Sequence, residues 1–360
     1  MSVAIYNFSA GPAMLPAPVL EKAREEMLSL RGIGMSVMEI SHRSGDFEAV
    51  LASARDGLRN ALDLPDNYDV LFLQGGATMQ FSMVPMNLLQ GRSADYITTG
   101  AWGKKALAEA AKFGSVNEIF SSADSGFRNV PTQDELRFSH NAAYVHYTSN
   151  ETIDGVEFPY DLDAGGIPIV CDASSNILSR PFDMEKYALI YAGAQKNIGP
   201  SGVTVVIIRK DLLENIPNGL PTLLDYRSYA DAYSMPNTPN TWGIYLVGLV
   251  CEWLAEQGGT NAMAARNKAK AKLLYDTIDS SDGFYRCHAE PYARSVMNVT
   301  FRLPSEELEN DFCDEAERAG LSGLRGHRSV GGIRASIYNA MPIEGVEALV
   351  GFMADFAAKR

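Results

Sequence analysis

Short apolar runs alternate with longer helical patterns over residues 69–208 of the chain. Helical patterns lie at 76–89 and 103–113, between runs that are typical of strands. Strands that alternate with helices indicate a mostly parallel sheet covered by helices on both faces. We therefore predict an α/β fold in which a large domain holds a seven-stranded sheet. The predicted strands are residues 69–73, 96–98, 116–120, 143–148, 167–171, 189–192 and 203–208.

The last two of these strands are predicted to be antiparallel. Only GAQKNIGPSG, at 193–202, separates residues 189–192 from residues 203–208. Parallel strands need a crossover connection, and this link is too short to provide one.

The alternating pattern ends at SMPNTPN, residues 234–240. A long helix is predicted from about Trp242 to the Gln-Gly-Gly at 257–259, followed by another helix at 261–278. We expect a large domain at 16–259 and a smaller α+β domain at 260–360, to which residues 1–15 return. The smaller domain has predicted strands and helices near 296–301, 305–319, 332–336 and 345–358.

The chain is acidic, with 360 residues and a formal net charge of −13. This charge argues against a nucleic-acid or anionic-membrane partner. Four cysteines stand far apart without a CxxC pair, and five histidines lack metal-ligand spacing, so no metal site is expected. The N-terminus shows no signal-peptide pattern, and the longest apolar stretch, near 244–254, is too short to span a bilayer. We therefore expect a soluble, cytoplasmic protein.

Chemically useful residues follow five of the predicted strands. Ligands of open α/β sheets bind outside the carboxyl ends of the strands. A glycine-rich helix start, an indole, a hydroxyl, a carboxylate and an amine would therefore gather at one edge of the sheet. This convergence is more specific than any one of its members. The segments are QGGAT (74–78), TGAW (99–102), SNET (149–152), DASS (172–175) and QK (195–196).

Each of these groups has a use if the ligand is an aromatic aldehyde that carries a phosphate. Lys196 could form a Schiff base once burial lowers the pKa of its amine. Asp172 could keep a pyridine nitrogen protonated, and Trp102 could stack on the ring. The backbone at 75–78 suits a phosphate at a helix N-terminus, and Thr152 could donate to a phenolic oxygen.

Taken singly, the same residues have plainer interpretations. Most lysines are exposed, and Gly75-Gly76 alone is more often a tight turn. Asp172 alone could cap the segment that follows it, and Trp102 alone is more often a core residue. Gly32-Ile33-Gly34 lacks the third glycine of a dinucleotide fingerprint and follows a helix, so we reject it as a nucleotide site.

Longer motifs carry a resemblance that runs essentially from end to end. They are NFSAGPAMLP (7–16), MSVMEISHRS (35–44), LFLQGGATMQF (71–81), GAWGKKA (100–106), NETIDGVEF (150–158), CDASSNILSRP (171–181), AGAQKNIGPSG (192–202), PNTPNTW (236–242) and GLRGHRSVGGIRASIYNA (323–340). With them the chain resembles the phosphoserine aminotransferase family, a class-V, fold-type I family that depends on pyridoxal 5'-phosphate (PLP). The resemblance implies one PLP per subunit. It also implies reversible amino transfer from L-glutamate to 3-phosphohydroxypyruvate, which gives O-phospho-L-serine and 2-oxoglutarate in serine biosynthesis.

The resemblance also implies roles around the cofactor. Lys196 would hold PLP covalently, Asp172 would face the pyridine nitrogen, and Trp102 would lie over the ring. Two of the further contacts, Asn237 and Thr238, would reach over from a second subunit, which makes the active unit a homodimer. Some family members carry an arginine in the phosphate loop, whereas this chain has Ala77-Thr78 and should rely on backbone and hydroxyl donors. The further cofactor contacts are Gly76, Ala77, Thr152, Gln195, Asn237 and Thr238.

Positive charge concentrates near the C-terminus of this acidic chain. Four basic residues lie between 325 and 334, and Ser41-His42-Arg43 echoes His327-Arg328-Ser329. By spacing alone, a solvated basic loop is the simpler interpretation. Guanidinium groups nevertheless suit carboxylates and phosphates. The resemblance implies Arg334 at the substrate α-carboxylate, then Arg43, His327 and Arg328 at the distal anion, with Ser9 and His42 as further substrate contacts.

Three rival functions use the same fold. A cysteine desulfurase needs a nucleophilic cysteine on a loop, and residues 321–334 contain none. An alanine–glyoxylate type of transaminase would have less use for the basic residues at 325–334. A non-catalytic α/β phosphate-binding protein would lack the lysine or its carboxylate partner, and both are present. Some bacterial relatives also transaminate 4-phosphohydroxythreonine in pyridoxine biosynthesis, and the sequence leaves that second activity open.

Overall fold

The structure is a computed structural model that describes residues 5–360. Its strands are β1 Tyr6–Asn7, β2 Tyr68–Leu73, β3 Ala94–Thr98, β4 Val116–Ser121, β5 Val145–Thr148, β6 Asn150–Glu151, β7 Val156–Glu157, β8 Ile169–Asp172, β9 Tyr187–Gly193, β10 Thr204–Arg209, β11 Arg286–Cys287, β12 Asn298–Arg302, β13 Leu321–Ser322 and β14 Ile333–Ser336. Its helices are α1 Ala17–Glu25, α2 Gly45–Ala61, α3 Gly76–Leu88, α4 Ala101–Ala110, α5 Lys210–Glu214, α6 Tyr226–Asp231, α7 Thr241–Glu256, α8 Gly259–Asp279, α9 Glu306–Arg318 and α10 Ile343–Ala358.

The large sheet confirms the predicted α/β architecture. It has seven strands in the order β2-β10-β9-β8-β5-β3-β4, and all seven correspond to predicted strands. The pairs β9–β8, β8–β5, β5–β3 and β3–β4 are parallel. Strand β10 is antiparallel to β9, as its short link requires, and also to β2.

Helices cover both faces of this sheet, and successive side chains of a strand enter different cores. In β9, Ile190 and Ala192 pack into the core beneath α2 and α7. Their neighbours Leu189 and Tyr191 pack into the core beneath α3 and α4. Because both of its faces are buried, the central strand β9 is apolar throughout rather than alternating.

Helix α7 shows how closely the first of these cores is packed. A Cβ at Gly57 of α2 would stand 2.6 Å from Cys251 Cβ of α7, and one at Gly248 would stand 3.5 Å from the Ala54 backbone. Glycine therefore lets the two helix backbones approach. Within residues 5–360, no helix combines the length and the apolar character needed to cross a bilayer.

The C-terminal part forms a smaller sheet in the order β11-β12-β14, with all pairs antiparallel. Its core joins residues of α8, α9 and α10 with Phe8 from the N-terminal segment. Strand β1 pairs in parallel with β13, which ties that segment to the same unit. The division at 16 and 260 stays a prediction, which these contacts support. Residues 1–4 of the predicted small domain lie outside the described residues.

Candidate active site

The link between β9 and β10 holds Lys196 in a compact turn. Ala194 donates its N–H to the Val203 carbonyl, while the N–H groups of Ile198 and Gly199 both donate to Ala194 O. The side chain of Asn197 donates to the Ile177 carbonyl. These bonds fix the backbone on both sides of Lys196, so its side chain leaves the turn in one direction.

Lys196 is partly buried and has few polar partners. Its amine donates to Thr152 Oγ1 and lies 5.4 Å from the centre of the Trp102 ring. Burial lowers the pKa of the amine to about 8, against the opposing effects of Asp172 and Glu151, and Arg334 lowers it further. No carboxylate of residues 5–360 lies within ion-pair distance of the amine, so it is available as a nucleophile near neutral pH.

Asp172 ends β8 and is 4% exposed. Its Oδ1 accepts the N–H of Ser174 at 2.9 Å, which is the turn cap that its position in the sequence allows. Burial raises the pKa of the carboxyl, while Lys196 and Ser174 oppose that rise. No ion pair within residues 5–360 neutralises this buried carboxylate, which can therefore accept a bond from a cationic N–H partner.

Two helices begin at this edge of the sheet, and they differ in their caps. Helix α4 is closed by protein carboxylates: Glu151 accepts the N–H groups of Trp102 and Gly103 at 3.0 and 2.7 Å, and Asp154 accepts that of Ala101 at 3.3 Å. This cap explains why α4 begins at Ala101 and not at the predicted Gly103, because acids from a distant hairpin stabilise its first turn.

Helix α3, by contrast, begins without a side-chain cap or an acidic residue in its first turn. Gly75 and Gly76 adopt φ values of 89° and 68°, and a Cβ at Gly76 would meet no atom within 4 Å. The first N–H groups of the helix, which include those of Gly76 and Ala77, thus have no side-chain cap from its N-cap residue. This helix start suits a phosphate.

Trp102 lies at the first turn of α4, next to the amines of two lysines. Its ring is 4.2 Å from Lys105 Nζ, on the same helix. Its indole Nε1 is buried and has no hydrogen-bond partner within residues 5–360. A buried donor of this kind is costly unless an acceptor arrives, which favours a ligand that carries a hydrogen-bond acceptor beside the ring.

Arg334 of β14 brings the smaller sheet to the site. Its Nη1 donates to the Thr152 carbonyl at 3.3 Å, and burial lowers the pKa of its guanidinium. The positive charges of Arg334, Lys105 and Arg328, together with burial, lower the pKa of His327. Arg325 does not join this group, because it pairs with Asp314 and Asn310 on α9.

The N-terminal segment closes another side of the Lys196 turn. Ala13 donates its N–H to the Gln195 carbonyl. A Cβ at Gly11 would stand 3.4 Å from Lys196 Cγ and 3.5 Å from Gln195 Cγ. Ser9 donates its N–H to Asn7 Oδ1 and lies against Gly323, at the end of β13.

Four predicted site residues share no hydrogen bond with Lys196 within residues 5–360. In the turn before α2, Arg43 donates its backbone N–H to Ser41 Oγ; the side chains of His42 and Arg43 make no hydrogen bond or ion pair within residues 5–360. The carbonyl of Thr238 accepts Gln74 Nε2 at 3.1 Å, and Asn237 lies beside it near the end of β2. The roles of these four residues stay predictions.

Sequence reasoning missed Glu151, Asp154 and Lys105. The first two lie in the SNETID segment beside Thr152, where nothing local shows that they cap a helix start 49 residues away. Gly100 and Gly103 carried the missing signal. A Cβ at Gly100 would stand 2.5 Å from Glu151 Cδ, and one at Gly103 would stand 3.3 Å from Glu151 Oε1.

Known proteins resemble this chain over nearly its whole length. The family model of class-V aminotransferases matches residues 5–349. Phosphoserine aminotransferase of Laribacter hongkongensis is 57% identical over 356 residues, or 99% of each chain. The structure of phosphoserine aminotransferase from Bacillus circulans subsp. alkalophilus matches with a TM-score of 0.98 at 51% identity and full coverage of both chains. PLP-bound phosphoserine aminotransferase from Trichomonas vaginalis matches with a TM-score of 0.92 at 41% identity, covering 97% of this chain and 99% of that one.

The fold, the sheet edge with its lysine and aspartate, and these full-length identities agree. The chain belongs to the class-V aminotransferases and, within them, to the phosphoserine aminotransferase family.

Proposed function

We propose that the protein binds PLP and transfers the amino group of L-glutamate to 3-phosphohydroxypyruvate, giving O-phospho-L-serine and 2-oxoglutarate. The observation that carries the proposal is the arrangement of three groups at one sheet edge: the amine of Lys196, the carboxylate of Asp172 and the uncapped start of α3. The relatives' shared name supports the choice of substrate.

The residues present fit PLP. Lys196 would bond the aldehyde carbon, Asp172 would bind the pyridine N–H, Thr152 would contact the phenolic oxygen, and the start of α3 would bind the phosphate. Trp102 would lie over the ring, with its free Nε1 directed to an acceptor. When bound, PLP supplies an electron sink that makes the substrate Cα–H acidic.

Lys196 has two tasks in this chemistry. It would first hold the cofactor. Once the substrate amine replaced it, its free amine would take the proton from the substrate Cα and, as an acid, deliver that proton to the former aldehyde carbon of the cofactor. A pKa of about 8 suits both directions, because each protonation state is populated near neutral pH. The buried Asp172 would stabilise positive charge on the pyridine nitrogen of the bound cofactor.

The basic residues would orient the substrates. Arg334 can bind the α-carboxylate through its planar guanidinium, which Thr152 O already holds in place. His327 and Arg328 would bind the distal group, a phosphate in one substrate and a carboxylate in the other. The exposure of Arg328 lets one flexible donor set serve both anions.

We further propose a homodimer in which Asn237, Thr238, His42 and Arg43 complete the partner's site. Two observations support it. Gln74, Thr78 and Met79 are exposed around the start of α3 in a single chain. The apolar side chains of Leu28, Ile33, Met35 and Met38 are also exposed, with Leu28 84% accessible.

The test is the visible absorbance of the purified protein with PLP. Glutamate should convert the bound cofactor to its aminated form and remove the visible absorbance. 3-Phosphohydroxypyruvate should restore that absorbance, whereas pyruvate and glyoxylate should not. Restoration by pyruvate or glyoxylate alone would favour a small-substrate transaminase. No PLP absorbance at all would favour the phosphate-binding interpretation.

A cytoplasmic location also stays a proposal, which the four free cysteines support. The same assay with 4-phosphohydroxythreonine tests the second activity that the sequence left open.

A further inference from the structure

Glu151 is a fully buried carboxylate at the centre of the site, and the proposed mechanism gives it no chemical task. It lies in β6 of the β6–β7 hairpin, directly before Thr152. Its two oxygens accept the N–H groups of Trp102 and Gly103. One side chain thus bridges the hairpin that carries Thr152 and the helix that carries Trp102.

Room for this carboxylate is built into α4. Gly100 and Gly103 are the positions where a Cβ would meet Glu151, at 2.5 Å from Cδ and 3.3 Å from Oε1. Gly100 has an extended backbone, with a φ of 178°, so its glycine is needed for space and not for an unusual conformation. Two glycines that accommodate one acid indicate a fixed position for the first turn of α4.

That first turn determines where the indole lies. Trp102 is the second residue of α4, and Lys196 Nζ lies 5.4 Å from its ring centre. The hydroxyl of Thr152, the neighbour of Glu151, accepts a hydrogen bond from the same amine. A shift of the α4 start relative to the hairpin would therefore separate the ring from the amine.

We propose that Glu151 is a positioning residue: by capping α4 it holds the Trp102 indole over the site of the cofactor ring. The inference rests on the proposed function, since it needs a ring for the indole to cover. Burial raises the pKa of Glu151 to about 8, although the Gly103 and Trp102 N–H groups oppose the rise. The two N–H groups thus favour the carboxylate form, which can accept both bonds, and burial opposes them.

The first test is Glu151→Gln in the PLP-loaded enzyme. Glutamine offers one oxygen, and its NH2 group would face a helix N–H. We expect weaker visible circular dichroism of bound PLP and a fall of about 100-fold in kcat/KM, the effect of a small misplacement. The matched control is Glu157→Gln on the same hairpin; Glu157 is also buried but accepts bonds from Asn176 and Val296, away from α4.

A double-mutant cycle with Trp102→Ala distinguishes a positioning role of Glu151 from a general loss of structure. If Glu151 acts through the indole, adding Glu151→Gln to Trp102→Ala should lower kcat/KM only a few-fold further. Gly100→Ala serves as a second variant should Glu151→Gln fail to fold, because its Cβ would displace the same carboxylate; it should reproduce the spectral change.

Equal losses from Glu151→Gln and Glu157→Gln, or an undiminished loss in the Trp102→Ala background, would overturn the inference. The unsubstituted enzyme distinguishes the two proposals. If it fails the half-reaction with glutamate, the proposed function is wrong; if it succeeds while Glu151→Gln behaves like it in spectrum and rate, only the positioning role is wrong.

Discussion

At the scale of residues, two buried lysines show how partners decide reactivity. Lys270 of α8 is 3% exposed and donates to three backbone carbonyls, those of Ile337, Tyr338 and Met341. Lys196 donates to one hydroxyl. All three hydrogens of the Lys270 ammonium are therefore occupied, whereas the Lys196 amine can exchange its single partner for a substrate.

Lys196 should make cofactor capture depend on pH. Because burial lowers the pKa of its amine to about 8, the fraction of neutral, nucleophilic amine increases as the pH rises through 8. We expect the rate at which the cofactor-free protein binds PLP to rise from pH 7 to about pH 9 and then level off. Stopped-flow absorbance measures it, with Lys196→Ala as the control that forms no covalent bond. A rate that rises only above pH 10 would mean an unshifted amine.

Replacement of Lys270 should lower the stability of the fold, because its amine is bonded to the backbone and not to the site. Lys270→Met leaves three carbonyls without their donor, which we expect to lower the free energy of unfolding by about 1–3 kcal/mol. Urea unfolding of the cofactor-free protein measures this loss. Lys272→Met on the same helix is the control, because Lys272 is exposed and, among residues 5–360, pairs only with Asp276. Similar losses for both variants would contradict the assigned role of the three carbonyls.

At the scale of elements, the starts of α3 and α4 at the sheet edge differ in their caps and in what they can bind. Helix α4 is capped by protein acids and holds an aromatic ring, while α3 is left uncapped and can hold an anion. Had both helices carried acidic caps, the site would repel a phosphate. This contrast is the reason that we propose the start of α3 as the phosphate end of the site.

Gly76→Ala should weaken PLP binding more than its backbone strain explains. Both Gly76 and Gly91 have positive φ, 68° and 72°, and a Cβ at either would meet no protein atom within 4 Å. Alanine should therefore cost each position a similar strain of about 1 kcal/mol. Only at Gly76 does the methyl group enter the space assigned to the phosphate. Equilibrium titration with PLP should show a larger dissociation constant for Gly76→Ala than for Gly91→Ala. Equal affinities for the two variants would exclude this phosphate position.

At the scale of the whole molecule, the single chain leaves its phosphate end open. The start of α3 and the exposed apolar residues of 28–38 lie at the surface of the described chain. Asn237 and Thr238 lie beside Gln74, and neither shares a hydrogen bond with Lys196 within residues 5–360. A second copy that covers these surfaces would bring them to the neighbouring site.

Mixed dimers test this arrangement. Lys196→Ala and an Asn237→Ala/Thr238→Ala double variant should each be inactive alone, because every site lacks one part. Random mixing after denaturation and refolding should restore roughly a quarter of the activity, since half the dimers are mixed and each has one intact site. Absence of recovery, with dimers present by light scattering, would mean that these residues serve their own chain.

The sequence by itself determined the strands, the α/β order and the lysine that we propose as the reactive amine of this protein. Periodicity and link length report local geometry directly, so all seven strands and the antiparallel β9–β10 pair could be predicted. The residues after each strand could be grouped because carboxyl ends of parallel strands share an edge.

Only the tertiary structure decided how those residues are held. The cap of α4 joins Gly103 to Glu151 across 48 residues of sequence, and the Arg334 bond to Thr152 spans 182. Such contacts depend on packing between distant segments, and no local pattern encodes them. The basic residues near the C-terminus also lie in different places. His327 lies close enough to Arg334 and Lys105 for their charges to affect its pKa, while Arg325 forms an ion pair with Asp314 of α9. The physical reason is the same in each case, because the direction of a side chain is set by what packs against it and not by its neighbours in the chain.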